Sequence, residues 1–286
     1  LADPGPIRPH HPSEIQIEAE PSSVRYKESV ATAVEDIRSN GLTKVVLGRS
    51  LVIRSDTPAR PFDLVAALGE DHPDAYRYAF KRGDASFVGA TPELLVSVTD
   101  GVMHSMPFAG TAPRGRNDAE DQRIAADLLS SDKNRHEHRV MVEDIVERLE
   151  PLVPGIVVSA QSVKPLRYVQ HLVTRIVGAV PPGTTLLGLS AALHPTPAVG
   201  GVPLEEAMGM IDKLEGLDRG WYAGGVGVLD ADGDGEFCVA IRSGLFEDDA
   251  LWLFAGAGIV AGSDPDRERA EVEQKMRALR DVLVED

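Results

Sequence analysis

From Val24 to Ser39 the apolar positions recur at helical spacing, and Asn40-Gly41 stops the pattern. The next stretch changes character. Lys44-Val45-Val46-Leu47-Gly48-Arg49 and Ser50–Ile53 are rich in β-branched and apolar residues and read as strand. Ala85–Gly89, Leu94–Val98 and Val102–Ala109 give more strands, joined by short turns such as Thr99-Asp100-Gly101. Asp132–Leu149 reads as a helix, closed by Pro151 and Pro154. In the second half, a strand near Tyr168–Val177 precedes helices near Thr184–Leu193 and Leu204–Leu214. Three strands follow, at Tyr222–Leu229, Glu236–Arg242 and Leu251–Ala255, and a long helix over Asp264–Val284 finishes the chain. Strands separated by tight turns pair antiparallel, so the fold class is α+β rather than doubly wound. Residues 1–23, rich in Pro and His at the start, read as an extended lead-in, and residues 24–286 as one domain without internal repeats.

Two helices carry charge where apolar residues are expected. On the last helix Val272, Met276, Leu279 and Leu283 form one stripe, taking about 100° per residue. Glu268 and Lys275 border that stripe, and Glu271 lies slightly farther round. A surface ion pair between Glu271 and Lys275 at i, i+4 accounts for part of this pattern equally well. On the Asp132–Leu149 helix, Glu137 falls between Val140 and Met141 on the apolar face that Ile145 continues. A carboxylate there is expensive unless a cation neutralises it. Two inward carboxylates suit a hard ion such as Mg²⁺, which takes one or two carboxylates, waters and an anionic ligand. His136 and His138 stand at i and i+2, point to different sides and make no zinc motif. They read as polar-face or outer-sphere residues.

Composition narrows the classes. The 286 residues are 43% hydrophobic, enough for a large core without metals or disulfides. Cys238 stands alone, so no internal disulfide forms, which suits a reducing, cytoplasmic setting. Twenty-nine basic against 45 acidic side chains give a formal charge of -16, which argues against nucleic acid as a partner. No apolar run approaches the roughly 20 residues that span a bilayer, so no membrane partner is expected. Leu1-Ala2-Asp3-Pro4 lacks an initiator Met and a signal-peptide pattern, and reads as a trimmed or processed terminus. Gly256-Ala257-Gly258 lacks the third glycine and the βαβ setting of a dinucleotide site. Asp230-Ala231-Asp232-Gly233-Asp234-Gly235 imitates a calcium loop, but Ile241 stands where the bidentate Glu belongs, so a hairpin turn is expected.

An ordered series of motifs adds to this reading. Lys44-Val45-Val46-Leu47, Gly89-Ala90-Thr91-Pro92-Glu93-Leu94-Leu95 and Pro107-Phe108-Ala109-Gly110-Thr111 are followed by Arg135-His136-Glu137-His138 and Leu193-His194-Pro195-Thr196-Pro197-Ala198. Val239-Ala240-Ile241-Arg242, Ala255-Gly256-Ala257-Gly258-Ile259-Val260 and the Glu268/Glu271/Lys275 helix complete it. The series spans about residues 24–286 and resembles the chorismate-binding domain of isochorismate, salicylate, anthranilate and aminodeoxychorismate synthases.

The resemblance implies two facing antiparallel sheets flanked by helices, with the site in the cleft between them. It implies Lys44 as the base that activates water for attack at C2, a role that needs an uncharged amine. It implies Glu93 as the acid that protonates the departing C4 hydroxyl. By residue habit alone these are a strand-end lysine and a turn residue. Glu137 and Glu271 match Mg²⁺ ligands, with Glu268 an outer or water-mediated partner; Asn134 stands where some members carry a further acid. Arg242 and Lys275 match the groups that hold the carboxylates of chorismate. Tyr222 helps at the pyruvyl end, Gly110 and Gly256 admit backbone amides, and Thr111 joins the substrate set. His171 matches a cleft histidine, although a satisfied core histidine fits as well.

Lys44 points to a water user, and Ala198 stands where salicylate synthases show Thr. The resemblance therefore favours an isomerase, a Mg²⁺-dependent isochorismate synthase. Salicylate synthase, or a silent acidic ligand-binding protein, is the alternative. No amidotransferase triad is visible, so a monomer without an obligatory subunit is expected. Whether the product serves siderophore, menaquinone or salicylate formation is not written in these residues.

Overall fold

A computed structural model describes residues 15–55, 60–71, 75–166 and 169–284. Its largest sheet is antiparallel, with β1 (Ile15–Glu20), β2 (Lys44–Ser55), β16 (Ala250–Ile259), β15 (Ser243–Glu247), β4 (Ala85–Thr91) and β3 (Tyr76–Arg82) in that order. The short β12 (Gly201–Val202) also pairs with β2. A six-stranded sheet runs β13 (Gly225–Leu229), β14 (Gly235–Val239), β5 (Leu94–Thr99), β6 (Val102–Ser105), β11 (Ile176–Ala179), β8 (Val157–Val158). A three-stranded sheet joins β7 (Phe108–Pro113), β10 (Val169–Val173) and β9 (Ser162–Pro165). The α+β class and antiparallel pairing are as expected, and the second of the two anticipated layers is itself two sheets.

Local chemistry sets the helix ends. The Ser22 hydroxyl accepts from the Arg25 amide to cap α1 (Ser23–Asn40), and Gly41 at φ 80° closes it in a conformation that only glycine adopts freely. Asn117 caps α3 (Asp118–Ser130), Ser131 caps α4 (Asp132–Leu149) and Thr185 caps α5 (Leu186–Leu193). The remaining helices are α2 (Pro61–Asp71), α6 (Leu204–Leu214) and α7 (Pro265–Val284). Helices α1, α2, α6 and α7 cover one face of the large sheet, burying Leu47, Leu253, Ala257 and Ile259 against Val30, Leu64, Ile211 and Val272. A second core packs Met141, Ile145 and Leu149 of α4 and Leu189 of α5 against Val96 and Ile176.

Several expected elements differ. Ile15–Glu20, within the expected lead-in, is a paired edge strand, because Glu20 to Ile15 register with Ser50 to Ser55. Residues 1–14 lie outside the described part. Val102–Ala109 is two strands in different sheets, parted at Met106-Pro107, since proline donates no ladder hydrogen bond. The stretch near Tyr168–Val177 is also two strands in different sheets, broken at Thr174-Arg175; Tyr168 lies outside the described residues. Tyr222 sits in a turn before β13, and β14 ends at Val239, so Arg242 lies beyond the strand. Helices α2 and α3 and strands β3, β8, β9, β12 and β15 are additions to the expected elements. Asp230–Gly235 forms the expected hairpin turn, with Asp230 Oδ1 accepting from the amides of Asp232 and Asp234. Among the described residues no helix is long and apolar enough to cross a membrane.

Candidate active site

The face of the large sheet opposite its helices is hollowed by glycine. Gly256 and Gly258 of β16 register with Gly48 and Val46 of β2, so this patch of floor has almost no side chains. A Cβ at Gly258 would lie 2.7 Å from Lys44 Cε and 2.8 Å from Glu137 Oε1; one at Gly256 would lie 3.0 Å from the Tyr222 hydroxyl. The resulting cavity, about 670 Å³ counting its mouth, lies between the large sheet, the β7–β10 sheet and helices α4 and α7. Lys44, Glu93, Gly110, Thr111, Glu137, His171, Ala198, Tyr222, Arg242, Gly256, Glu271 and Lys275 all line it. Glu268 does not.

Each ionisable group meets a distinct environment. Lys44 is 2% exposed, and its Nζ lies 3.0 Å from Glu137 Oε1. Glu93 comes from the β4–β5 turn and is 5% exposed. Burial pushes its carboxyl up to about 7, against the pull of Lys44, Lys275, Arg242 and the Phe108 amide. At neutral pH a large share of it is protonated, the state in which a carboxyl can donate. Arg242 holds φ at 52°, sparsely populated for a residue with a side chain, while its carbonyl accepts from the Ala90 amide. Its NH2 contacts His171 Nε2 at 3.2 Å. Arginine offers no acceptor, so Nε2 accepts and the proton sits on Nδ1, which donates to Thr111 Oγ1 at 3.2 Å. Burial, with Arg242 and Lys275 adding, keeps this histidine neutral. His171 is thus both a satisfied buried histidine and a cleft residue.

Gly110 is the bulge residue of β7, skipped where His171 pairs with Thr111 and Leu172 with Ala109. Its φ of 70° and the Asn134 Cβ 3.0 Å from any added Cβ both require glycine. The Tyr222 ring stacks on Phe254 at 5.3 Å, and burial holds its hydroxyl protonated. Lys275 donates to Gly256 O at 2.9 Å and pairs with Glu271 at 2.7 Å. The i, i+4 pair that spacing allowed therefore exists, but on the cavity wall rather than the open surface. His138 departs from its expected polar face: it is buried, and its Nε2 meets Thr174 Oγ1 at 2.8 Å. His136 is exposed. Gly258 and Lys133 were not foreseen. Gly258 had a visible signal in its period-2 spacing from Gly256; Lys133 had none, because its contact spans the chain.

The carboxylates fit a hard cation in part. Glu137 and Glu271 offer oxygen donors to one cavity, and two suffice for Mg²⁺ with waters and an anionic ligand. Among the described residues no three acidic, His or Cys side chains are grouped closely enough to hold an ion alone. Glu268 turns to Lys133 at 3.4 Å, and burial and then Glu271 raise its pKa. Each of the three expected carboxylates is thus engaged by a lysine. Leu283, expected on the α7 stripe, has no described side chain; Val272, Met276 and Leu279 of that stripe are buried.

The sequence and fold of this chain are similar to those of known proteins. The salicylate biosynthesis isochorismate synthase of Pseudomonas aeruginosa is 41% identical over 260 residues, 91% of this chain and 54% of that protein. The chain therefore spans about half the length of this relative. A putative 2,3-dihydroxybenzoate-specific isochorismate synthase, DhbC, from Bacillus anthracis superposes with a TM-score of 0.91 at 37% identity, over 94% of this chain and 74% of that one. Anthranilate synthase component I from Streptococcus pneumoniae superposes at 0.83 with 30% identity, over 94% and 60%. The family described as chorismate binding enzyme matches residues 3–284, and with the fold and relatives in agreement the chain belongs to that family.

Proposed function

We propose that this chain carries the active site of an isochorismate synthase, a Mg²⁺-dependent isomerase that moves a hydroxyl of chorismate from C4 to C2. One observation carries the reading: a buried lysine and a buried carboxyl held near 7 face one cavity from different elements. Arg242 and Lys275 supply cations for the two carboxylates of chorismate, and Arg242 can do so through its fork. Lys44 takes a proton from water as its oxygen bonds to C2. Both conjugated ring double bonds shift by one position, the C4–O bond breaks, and Glu93 gives its proton to the leaving hydroxyl. One proton is taken and one returned, so the reaction balances. Mg²⁺ held by Glu137 and Glu271 would neutralise the ring carboxylate and fix its orientation.

Ala198 supports release of isochorismate over onward elimination, because it presents a methyl group and no hydroxyl to the cavity. The test is incubation with chorismate and Mg²⁺ followed by product chromatography. Isochorismate alone is expected. Salicylate with pyruvate would favour salicylate synthase, and absence of turnover would favour a silent binding protein.

A further inference from the structure

The outer edge of β2 is paired with β12 at Lys44 and Val45 and with β1 from Ser50 onward. Between them, among the described residues, no strand lies beside it. Val46 donates its N–H to Gly200 O at 2.8 Å. The next backbone groups are met by side chains: Arg219 NH2 donates to Val46 O at 2.9 Å, and Gly48 N–H donates to Glu215 Oε2 at 2.6 Å. Gly48 makes that approach possible, since a Cβ there would lie 3.1 Å from the carboxylate. Glu215 and Arg219 are joined through both carboxylate oxygens, at 2.7 and 2.6 Å, and Glu215 is 3% exposed. The ion pair stands where a neighbouring strand would, satisfying backbone groups that are costly to bury alone.

Arg219 also reaches two other walls of the cleft. Its NH1 donates to Val199 O at 2.6 Å, next to Ala198, and its guanidinium lies 5.8 Å from the Tyr222 ring centre. We propose that Glu215 and Arg219 are positioning residues that set the spacing of the Lys44 strand, the Ala198 turn and Tyr222. Neither touches the cavity itself. The inference rests on the cleft being the reaction site proposed above.

Arg219→Lys is the test, because one ammonium keeps the charge but cannot meet the carboxylate, both carbonyls and the ring together. Two readouts are taken: steady-state kinetics with chorismate, and amide hydrogen exchange by mass spectrometry. The expected result is cooperative unfolding, kcat reduced between about ten- and a hundredfold with KM changed less, and faster exchange in residues 44–50 and 196–201 only. Unchanged kcat, or unchanged exchange in those segments, overturns the proposal. If the wild-type protein does not turn over chorismate, the functional reading fails, while the exchange arm still decides whether the pair holds these walls. Should Arg219→Lys not fold, Arg219→Met combined with Glu215→Leu removes both charges at similar volume and is judged by the same readouts.

Discussion

Glu93 enters the cavity from the β4–β5 turn with no ion pair among the described residues, whereas Glu137 enters from α4 with the Lys44 ammonium at 3.0 Å. Both are carboxylates lining one cleft. At Glu93 desolvation outweighs three cations that act from a distance, and the group holds its proton to about 7. At the Glu137 corner each carboxylate has a lysine in contact. A proton donor and a cation site can therefore share a cavity when contact cations are rationed to one end.

The largest effect is expected from removing the lysine that separates the two ends. Lys44→Ala should lower turnover by about 10²–10⁴-fold, the usual range for a general base. The fold should survive, and Mg²⁺ binding should be no weaker, because Glu137 loses its competing ammonium. Near-native turnover with water as nucleophile, measured by product chromatography, would remove Lys44 from the base role.

Glu93→Gln should come next and should separate activity from stability. The substitution abolishes the acid, so turnover falls by about 10²-fold or more. In the wild type, turnover that needs protonated Glu93 declines as pH rises through about 7. The stability sign runs the same way. Below the usual 4.5 both folded and unfolded chains keep the proton; above it only the folded chain does, until about 7. Glu93's contribution is thus present below 4.5 and lost as pH rises to 7, a change of about 3 kcal/mol at most. Glutamine should flatten that slope, so denaturant unfolding at pH 8 should show the variant more stable than the wild type. Equal stability at pH 8 would mean that Glu93 ionises normally.

At the opposite corner Glu271→Gln should weaken Mg²⁺ and chorismate binding together, by roughly tenfold or more, because ion and ring carboxylate neutralise each other. Calorimetry that gave unchanged Mg²⁺ affinity in the presence of substrate would sink the two-carboxylate corner.

How much of this the sequence disclosed follows contact distance along the chain. Helices Asp132–Leu149 and Leu204–Leu214 were legible to the residue, because the apolar pattern and the residues that stop it are local. Glu137 was visible as a carboxylate on an apolar stripe, and Glu271 with Lys275 as neighbours one turn apart. Glu93 had no local signal: its raised pKa comes from burial in the folded chain, and only the family resemblance singled it out. Lys133 with Glu268 and Arg219 with Val46 are 135 and 173 positions apart, beyond any periodicity. The breaks at Met106-Pro107 and Thr174-Arg175 were hidden for a related reason. Both stretches look like strand, and only sheet assembly decides that each half joins a different sheet.

The smallest effect should come from the wall that belongs to neither carboxylate corner. Ala198 sits in the turn where the Thr196 hydroxyl accepts from the Ala198 amide and Arg219 holds the Val199 carbonyl. Its methyl lines the cavity, so Ala198→Thr would add a hydroxyl there while leaving Lys44 and Glu93 in place. A hydrogen bond to a group of developing charge contributes about 1.5–3 kcal/mol, enough to shift a partition ratio by about tenfold. The variant should therefore raise the share of salicylate with pyruvate, or of rearranged prephenate, at the expense of isochorismate. Added bulk could block the cavity instead, so total turnover is measured beside product ratio; a fall in both products together would indicate blockage. A fully active variant that still releases isochorismate alone would show that the hydroxyl does not set the outcome. Product choice would then have to arise at the two carboxylate corners, and the preference for isochorismate synthase would lose its principal residue-level support.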